Sequence, residues 1–148
     1  MRVHEVMTKA VHRIGPDTTL AEAAKALAQF DAGILPVEEN DRLIGMVTDR
    51  DIVVRGVAQG LGPDAKVRQV LTPDVLYCYE DDHIDDVSRN LAENQVRRLP
   101  VLNKDKRLVG IISLADLAVA GKHDATGKAL EGVAQRGGQH NQNGIAQM

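Results

Sequence analysis

Leu35-Pro36-Val37 leads through a polar turn into Gly45-Met46-Val47-Thr48-Asp49-Arg50-Asp51, and the chain repeats both as Leu99-Pro100-Val101 and Gly110-Ile111-Ile112-Ser113-Leu114-Ala115-Asp116. The offset is 64 residues before the turn and 65 after it, so one inserted residue in the turn keeps everything else in register. Arg42, Leu43, Gly45 and Asp51 fall on Arg107, Leu108, Gly110 and Asp116, while upstream Val6 and Thr8 fall on Val70 and Thr72. A registered internal repeat constrains the architecture before any local propensity does.

Length and composition bound what the repeat can build. With 148 residues, 43% of them apolar, the chain can bury one sizeable core, so two repeats of roughly 60 residues are expected to be halves of one domain sharing that core. The single cysteine, Cys78, excludes an intramolecular disulfide framework, and no N-terminal basic, apolar and small-residue succession marks a leader. No uncharged apolar segment approaches the ~18 residues of a membrane span. The expectation is a soluble, cytoplasmic protein without a membrane partner. A formal charge of −3 and an aromatic content of 2%, with Phe30, Tyr77 and Tyr79 the only such rings, disfavour nucleic acid as a partner.

Each repeat carries the same elements. Asp17 or Thr18 is placed to cap a helix reaching about Phe30, with Leu20, Ala23, Ala24, Leu27 and Ala28 on one face. Its counterpart starts near Asp81 or Asp82 and sets Ile84, Val87, Leu91 and Ala92 on its apolar side. A short strand through Pro-Val, a polar turn and a second strand at 43–47 or 108–112 then make a hairpin. Second helices are expected over about 49–58 and 114–120. Gly60-Leu61-Gly62-Pro63-Asp64 reads as a connection, and the pattern decays after Gly121. The expected organisation is a repeat pair over 1–120, with repeats at about 3–60 and 67–120, and a polar, mobile tail over 121–148.

The hydroxyl residue and the aspartate carry the chemistry. A strand that ends in Thr48 and turns directly into a helix leaves free backbone N–H groups, which together with the helix dipole favour a phosphate. One turn later Asp51 can accept two hydrogen bonds from a ribose diol. Ser113 and Asp116 repeat the arrangement. The same pairs also read as capping boxes, and the two roles are compatible.

Two β-α-β-β-α units with these motifs resemble a tandem cystathionine-β-synthase (CBS) domain pair, or Bateman module, over roughly residues 3–120. The resemblance rests on the repeated hydroxyl-x-x-Asp after a Gly-led strand, on Leu-Pro-Val, and on Val6-Met7-Thr8. Met46 to Val53 and Gln95-Val96-Arg97-Arg98 look most like the stand-alone bacterial CBS pairs of the hypoxic-response type. The resemblance implies an α/β (α+β) fold with halves packed about a pseudo-twofold axis and adenosine nucleotides in the clefts between them. It implies that Thr48 and Asp51 face Leu71, Thr72, Val96, Arg97 and Arg98 of the opposite repeat, and that Ser113 and Asp116 face Met7, Thr8, Gly33 and Ile34. Met46 and Ile111 become candidates for adenine contact, although both also suit ordinary strand core. Arg97-Arg98 stands where related modules place phosphate-reaching cations, whereas repeat one has Gly33-Ile34. The cleft of Thr48 and Asp51 is therefore expected to prefer the more phosphorylated ligand, with Arg50 a further phosphate candidate.

Catalysis has little support. His4, His12, His83, His123 and His140 have no metal-ligand spacing with Cys78 or one another. Cys78 lies in an apolar segment and reads as a buried structural thiol, while Asp81, Asp82, Asp85 and Asp86 suit a helix start. The favoured reading is a non-catalytic regulatory module that needs no cofactor, binds AMP, ADP, ATP, NAD or S-adenosylmethionine as a regulatory ligand, and signals to a regulated protein. The alternative is a CBS-fold interaction or stress-response scaffold that binds no nucleotide. Ile52, Val53 and Leu117 suggest a second apolar surface on the second helices, where CBS pairs usually dimerise, so a homodimer is expected.

Overall fold

Asn40 and Asp41 both adopt positive φ, 53° and 62°, the left-handed geometry that closes a two-residue hairpin between β1 (Ile34–Glu39) and β2 (Arg42–Thr48). The second hairpin, β4 (Arg98–Leu102) and β5 (Leu108–Ser113), closes through Asn103, whose N–H donates to the Arg107 carbonyl at 2.9 Å, and Lys106 takes φ 60°. The longer second loop accounts for the inserted residue. Both hairpins pair antiparallel with a register shift at the same place, between Val37 and Glu38 and between Val101 and Leu102.

The computed structural model describes residues 1–30 and 33–135. They form two compact units, of mixed α+β architecture: one contains 12–75, the other 1–11 together with the chain from Leu76 onward. The sequence repeats and the spatial units are therefore not the same segments.

In the 12–75 unit, α1 (Leu20–Phe30) precedes the β1–β2 hairpin, and Ile14 runs parallel beside Val37, its N–H donating to the Pro36 carbonyl at 3.0 Å. Thr19 caps α1, rather than Asp17 or Thr18: the Glu22 N–H donates to Thr19 Oγ1 at 3.1 Å, while Asp17 binds Arg68 at 2.9 Å. The buried face of α1 is Leu20, Ala23 and Ala26, with Leu27 partly buried; Ala24 and Ala28 face outward, against expectation. After β2 the chain is helical over 49–59, with a wide π-helical stretch from Asp51 to Gly56. The segment 63–75 returns to this unit, where a 3-10 turn at Val67–Gln69 buries Val67 and Val70 with Leu35, Val37 and Val47.

The other unit repeats the plan with three strands. β3 (Cys78–Tyr79) pairs parallel with β4, and β4 antiparallel with β5. His83 caps α2 (Ile84–Asn94), its Nδ1 accepting the Asp85 N–H at 3.2 Å, so the helix starts two to three residues beyond the expected Asp81 or Asp82. Its buried face is Ile84, Val87, Ser88 and Leu91. The N-terminal 3-10 turn Val3–Glu5 places Val3 in the same cluster as Leu99, Val101 and Ile112. α3 (Leu114–Val119) follows β5 directly.

Three expectations are corrected. The buried residues form two clusters, one per unit, instead of one, and each draws on both repeats: Val67 and Val70 join the cluster of 12–75, and Val3 joins that of the other unit. Ile52 and Leu117 belong to those clusters, which leaves Val53, with Val54 and Val57, as the exposed apolar row on the second helix of the 12–75 unit. Finally, residues 123–134 are no tail: α4 (His123–Ala134) buries Ala125, Ala129 and Val133. Those alanines and valine are spaced as one helical face that glycines at 127 and 132 disguise. The remainder of the expected tail, 136–148, lies outside the described residues.

Candidate functional site

The hydroxyl residues and aspartates form a closed bracket in both units. The Asp51 N–H donates to Thr48 Oγ1 at 3.1 Å, and the Thr48 N–H donates back to Asp51 Oδ2 at 2.9 Å. Ser113 and Asp116 give the same two bonds at the same distances. The capping box is thus built twice, satisfying backbone donors at each helix start. In each carboxylate the second oxygen, Oδ1, has a looser partner. Asp51 Oδ1 lies 3.8 Å from Arg55 Nε, and Asp116 Oδ1 accepts the Thr8 hydroxyl at 3.3 Å.

A second strand-like segment crosses each site. Met46 and Thr72 exchange backbone hydrogen bonds at 3.0 and 2.9 Å, as Thr8 and Ile111 do at 2.8 and 2.9 Å. This crossing explains the glycine that opens the motif. A Cβ on Gly45 would lie 2.8 Å from the Thr72 carbonyl oxygen and 2.7 Å from Leu71; one on Gly110 would lie 2.9 Å from the Thr8 carbonyl oxygen and 2.7 Å from Met7. Only a glycine lets the two backbones approach so closely.

The structure therefore brings Met46, Thr48, Asp51, Leu71 and Thr72 together in one unit, and Met7, Thr8, Ile111, Ser113 and Asp116 in the other. Ile34 stands opposite Thr48 in the strand register, buried, and Gly33 precedes it at φ 73°. Arg98 occupies the matching place opposite Ser113, and the Leu114 N–H donates to the Arg97 carbonyl at 3.0 Å. Arg97 and Arg98, which the resemblance set against Thr48 and Asp51, are exposed and share a cleft of 380 Å³ with Ser113, Leu114 and residues of α4 in their own unit. Val96 is partly buried against the core of that unit, and Arg50 is exposed on its helix. The α4 wall of the cleft was not anticipated, because its helix was not.

Other chemistry-bearing groups have structural settings. Cys78 is buried, and that burial, with the charge of Asp82, pushes its thiol up to about 12. A thiol so held is not a nucleophile at neutral pH. Phe30 stacks on His12 at a centroid distance of 4.3 Å, and Tyr77 meets Tyr79 edge-on at 5.5 Å. Among the described residues, no group of three or more His, Cys, Asp or Glu side chains is arranged to hold a metal ion, and no helix is long and apolar enough to cross a membrane.

The family model of the CBS domain matches the chain twice, over residues 3–56 and 67–123. The chain belongs to the CBS-domain family. Among its CBS relatives, the CBS domain-containing protein YhcV of Bacillus subtilis is 36% identical over 135 residues, covering 90% of this chain and 96% of YhcV. Hypoxic response protein 1 of Mycobacterium tuberculosis is 41% identical over 117 residues, 77% of this chain and 80% of that one. The crystal structure of hypoxic response protein I, with two coordinated zinc ions, matches with a TM-score of 0.73 at 37% identity, over 80% of this chain and 98% of that one. The structure of CBSX2 in complex with AMP matches with a TM-score of 0.72 at 26% identity, over 83% of this chain and 97% of CBSX2.

Proposed function

We propose that this CBS protein is a non-catalytic regulatory module that binds an adenosine nucleotide and passes its occupancy to a partner protein. The observation that carries the reading is the bracket of hydroxyl and aspartate built in both units, each crossed by a glycine-dependent backbone segment. In each aspartate one oxygen is committed to the cap while the other is only loosely held, so a ribose diol can displace the weak partner without unmaking the helix start. Met46 and Ile111, beside the crossing segments, supply apolar contact for a base. That CBSX2, of the same fold, is found in complex with AMP supports the class of ligand. Thr48, Asp51, Thr72, Met46 and Arg50, and Ser113, Asp116, Thr8, Met7, Ile111, Arg97 and Arg98, are the residues assigned to it. Gly33, Ile34 and Val96 complete that set as backbone and apolar contacts. The exposed Val53, Val54 and Val57 are the face assigned to a homodimer.

The test is isothermal titration with AMP, ADP, ATP, NAD and S-adenosylmethionine. At least one should bind, and Asp51→Ala or Asp116→Ala should weaken it by about 1–3 kcal/mol, the worth of charge-assisted hydrogen bonds. Melting curves of the free variants separate lost binding from the lost cap. Absence of binding by all five ligands would leave the scaffold reading in its place.

A further inference from the structure

Arg55 is where the two brackets stop matching. Through the 65-residue offset it falls on Ala120, so only the 12–75 unit sets a cation one helical turn beyond the aspartate of its bracket. The guanidinium spans two acceptors. Its Nε lies 3.8 Å from Asp51 Oδ1, and its Nη1 donates to the Leu71 carbonyl at 3.3 Å. Both acceptors are held in place: Asp51 by the Thr48 N–H on its other oxygen at 2.9 Å, and Leu71 by its own N–H, which donates to the Val67 carbonyl at 2.9 Å. The donor is not so held. The Arg55 side chain is 51% exposed, against 13% for Asp51, and nothing prevents its long stem from swinging into solvent.

In the other unit the matching oxygen, Asp116 Oδ1, accepts the hydroxyl of Thr8. Thr72 stands where Thr8 does in the repeat, yet among the described residues its hydroxyl makes no bond to Asp51. Arg55 has taken that oxygen instead. A guanidinium presents neighbouring N–H donors in a fixed fork, and the cis-diol of a ribose presents two neighbouring O–H donors. Either can satisfy a carboxylate oxygen and a carbonyl oxygen that one guanidinium is able to bridge.

We infer that Arg55 stands in for the donors of the ligand: it occupies the acceptors that a ribose diol needs, and an arriving nucleoside must expel it. The inference rests on the proposed function for the nucleoside, but not for the bridge from Asp51 to Leu71. A brace that merely held the 70–72 segment against the helix would have the opposite consequence. Removing a brace weakens binding, whereas removing a competitor strengthens it. An exposed ion pair with one supporting hydrogen bond leaves the acceptors free only part of the time, so the competitor should lower the apparent affinity about threefold.

Isothermal titration of the full chain with adenosine tests this, in an Asp116→Ala background that leaves Thr48–Asp51 as the intact bracket. Arg55→Met, which keeps the length of the stem and deletes its donors, should tighten adenosine about threefold. It should leave 2′,3′-dideoxyadenosine, which has no diol to offer, unchanged. In the reciprocal Asp51→Ala background, Ala120→Arg should weaken adenosine at the Ser113–Asp116 bracket. Adenosine bound equally or more weakly by Arg55→Met would overturn the competition and leave the nucleotide reading standing. An equal gain for the dideoxynucleoside would also overturn it, since Arg55 would then exclude ligands by bulk. Adenosine binding seen only once Arg55 is replaced would uphold both readings, and binding to neither chain would overturn both at this bracket.

Discussion

The two units use one plan, and they differ where chemistry is added. Hairpin, bulge, glycine crossing and capping bracket correspond residue for residue through the 64- and 65-residue offsets. Outside those shared parts the units diverge. α2 is covered by α4 at Ser88, whereas the matching Ala24, like Ala28, is exposed on α1. Asp51 has Arg55 beside it on a π-helical turn, and Asp116 has the Thr8 hydroxyl. Arg98 faces Ser113 where Ile34 faces Thr48. Such wide turns recur at functional sites. What repeats is what folds; what differs is what can select a ligand.

The sharpest way to break the shared part is at the crossings. Gly45→Val and Gly110→Val should each destabilise by up to about 3 kcal/mol, since the added side chain meets a carbonyl oxygen that cannot swing away. Gly110→Val should be the milder, because flexible Met7 yields more readily than Leu71. Urea unfolding measures both, and equal stability of either variant with the parent would show that the crossing is looser than 2.8–2.9 Å.

A smaller effect, about 1.4 kcal/mol at pH 10, separates the units by pH. Cys78 stands in β3 where the other unit has Ile14, and its thiol is raised by burial and by Asp82 to about 12. Raised above its unfolded value, the group stabilises the fold fully below that value. As pH climbs from about 9, the unfolded chain loses the proton first, so stability should fall by about 1.4 kcal/mol per pH unit until the folded thiol also ionises. Cys78→Ala should remove that slope, and hydrogen exchange should place the alkaline loosening in the unit of Cys78 rather than in 12–75.

The smallest effect concerns the loose aspartate oxygens. Arg55→Met removes both the 3.8 Å ion pair and a donation to the Leu71 carbonyl at 3.3 Å; it should cost about 0.5–1 kcal/mol, of which only the ion-pair part should fade in high salt. Thr8→Val removes an uncharged donor and should cost about 0.5–1.5 kcal/mol with little salt dependence. Thermal melts at two ionic strengths distinguish the two partners.

Much of this was legible in the chain. The repeat register foretold the paired hairpins because side-chain alternation and turn chemistry are local, and the Thr48–Asp51 and Ser113–Asp116 brackets are local as well. The α1 cap was misplaced by one or two residues and stands at Thr19, and α2 starts at Ile84, not near Asp81 or Asp82, since adjacent Asp and Thr residues offer competing acceptors. α4 was hidden because its face is alanine and its helix depends on tertiary docking rather than propensity. Nor could spacing reveal that 3–8 and 67–72 each join the unit built mainly from the other repeat. Such an exchange changes no local pattern; its trace is the glycine at each crossing.

That exchange sets an order in time. The 12–75 unit is one continuous stretch and can close as soon as it leaves the ribosome, but its neighbour must join residues 1–11 to a partner that begins at 76. Closing a flexible loop of that length costs about 4 kcal/mol of chain entropy by the logarithmic rule, more than the short closures inside either hairpin. If the inserted unit has already folded, the loop is no longer a free chain and the cost falls. The 1–11 segment is thus made before the inserted unit yet finds its place after it, and slow synthesis beyond residue 76 prolongs the interval in which Val3 and Met7 remain uncovered.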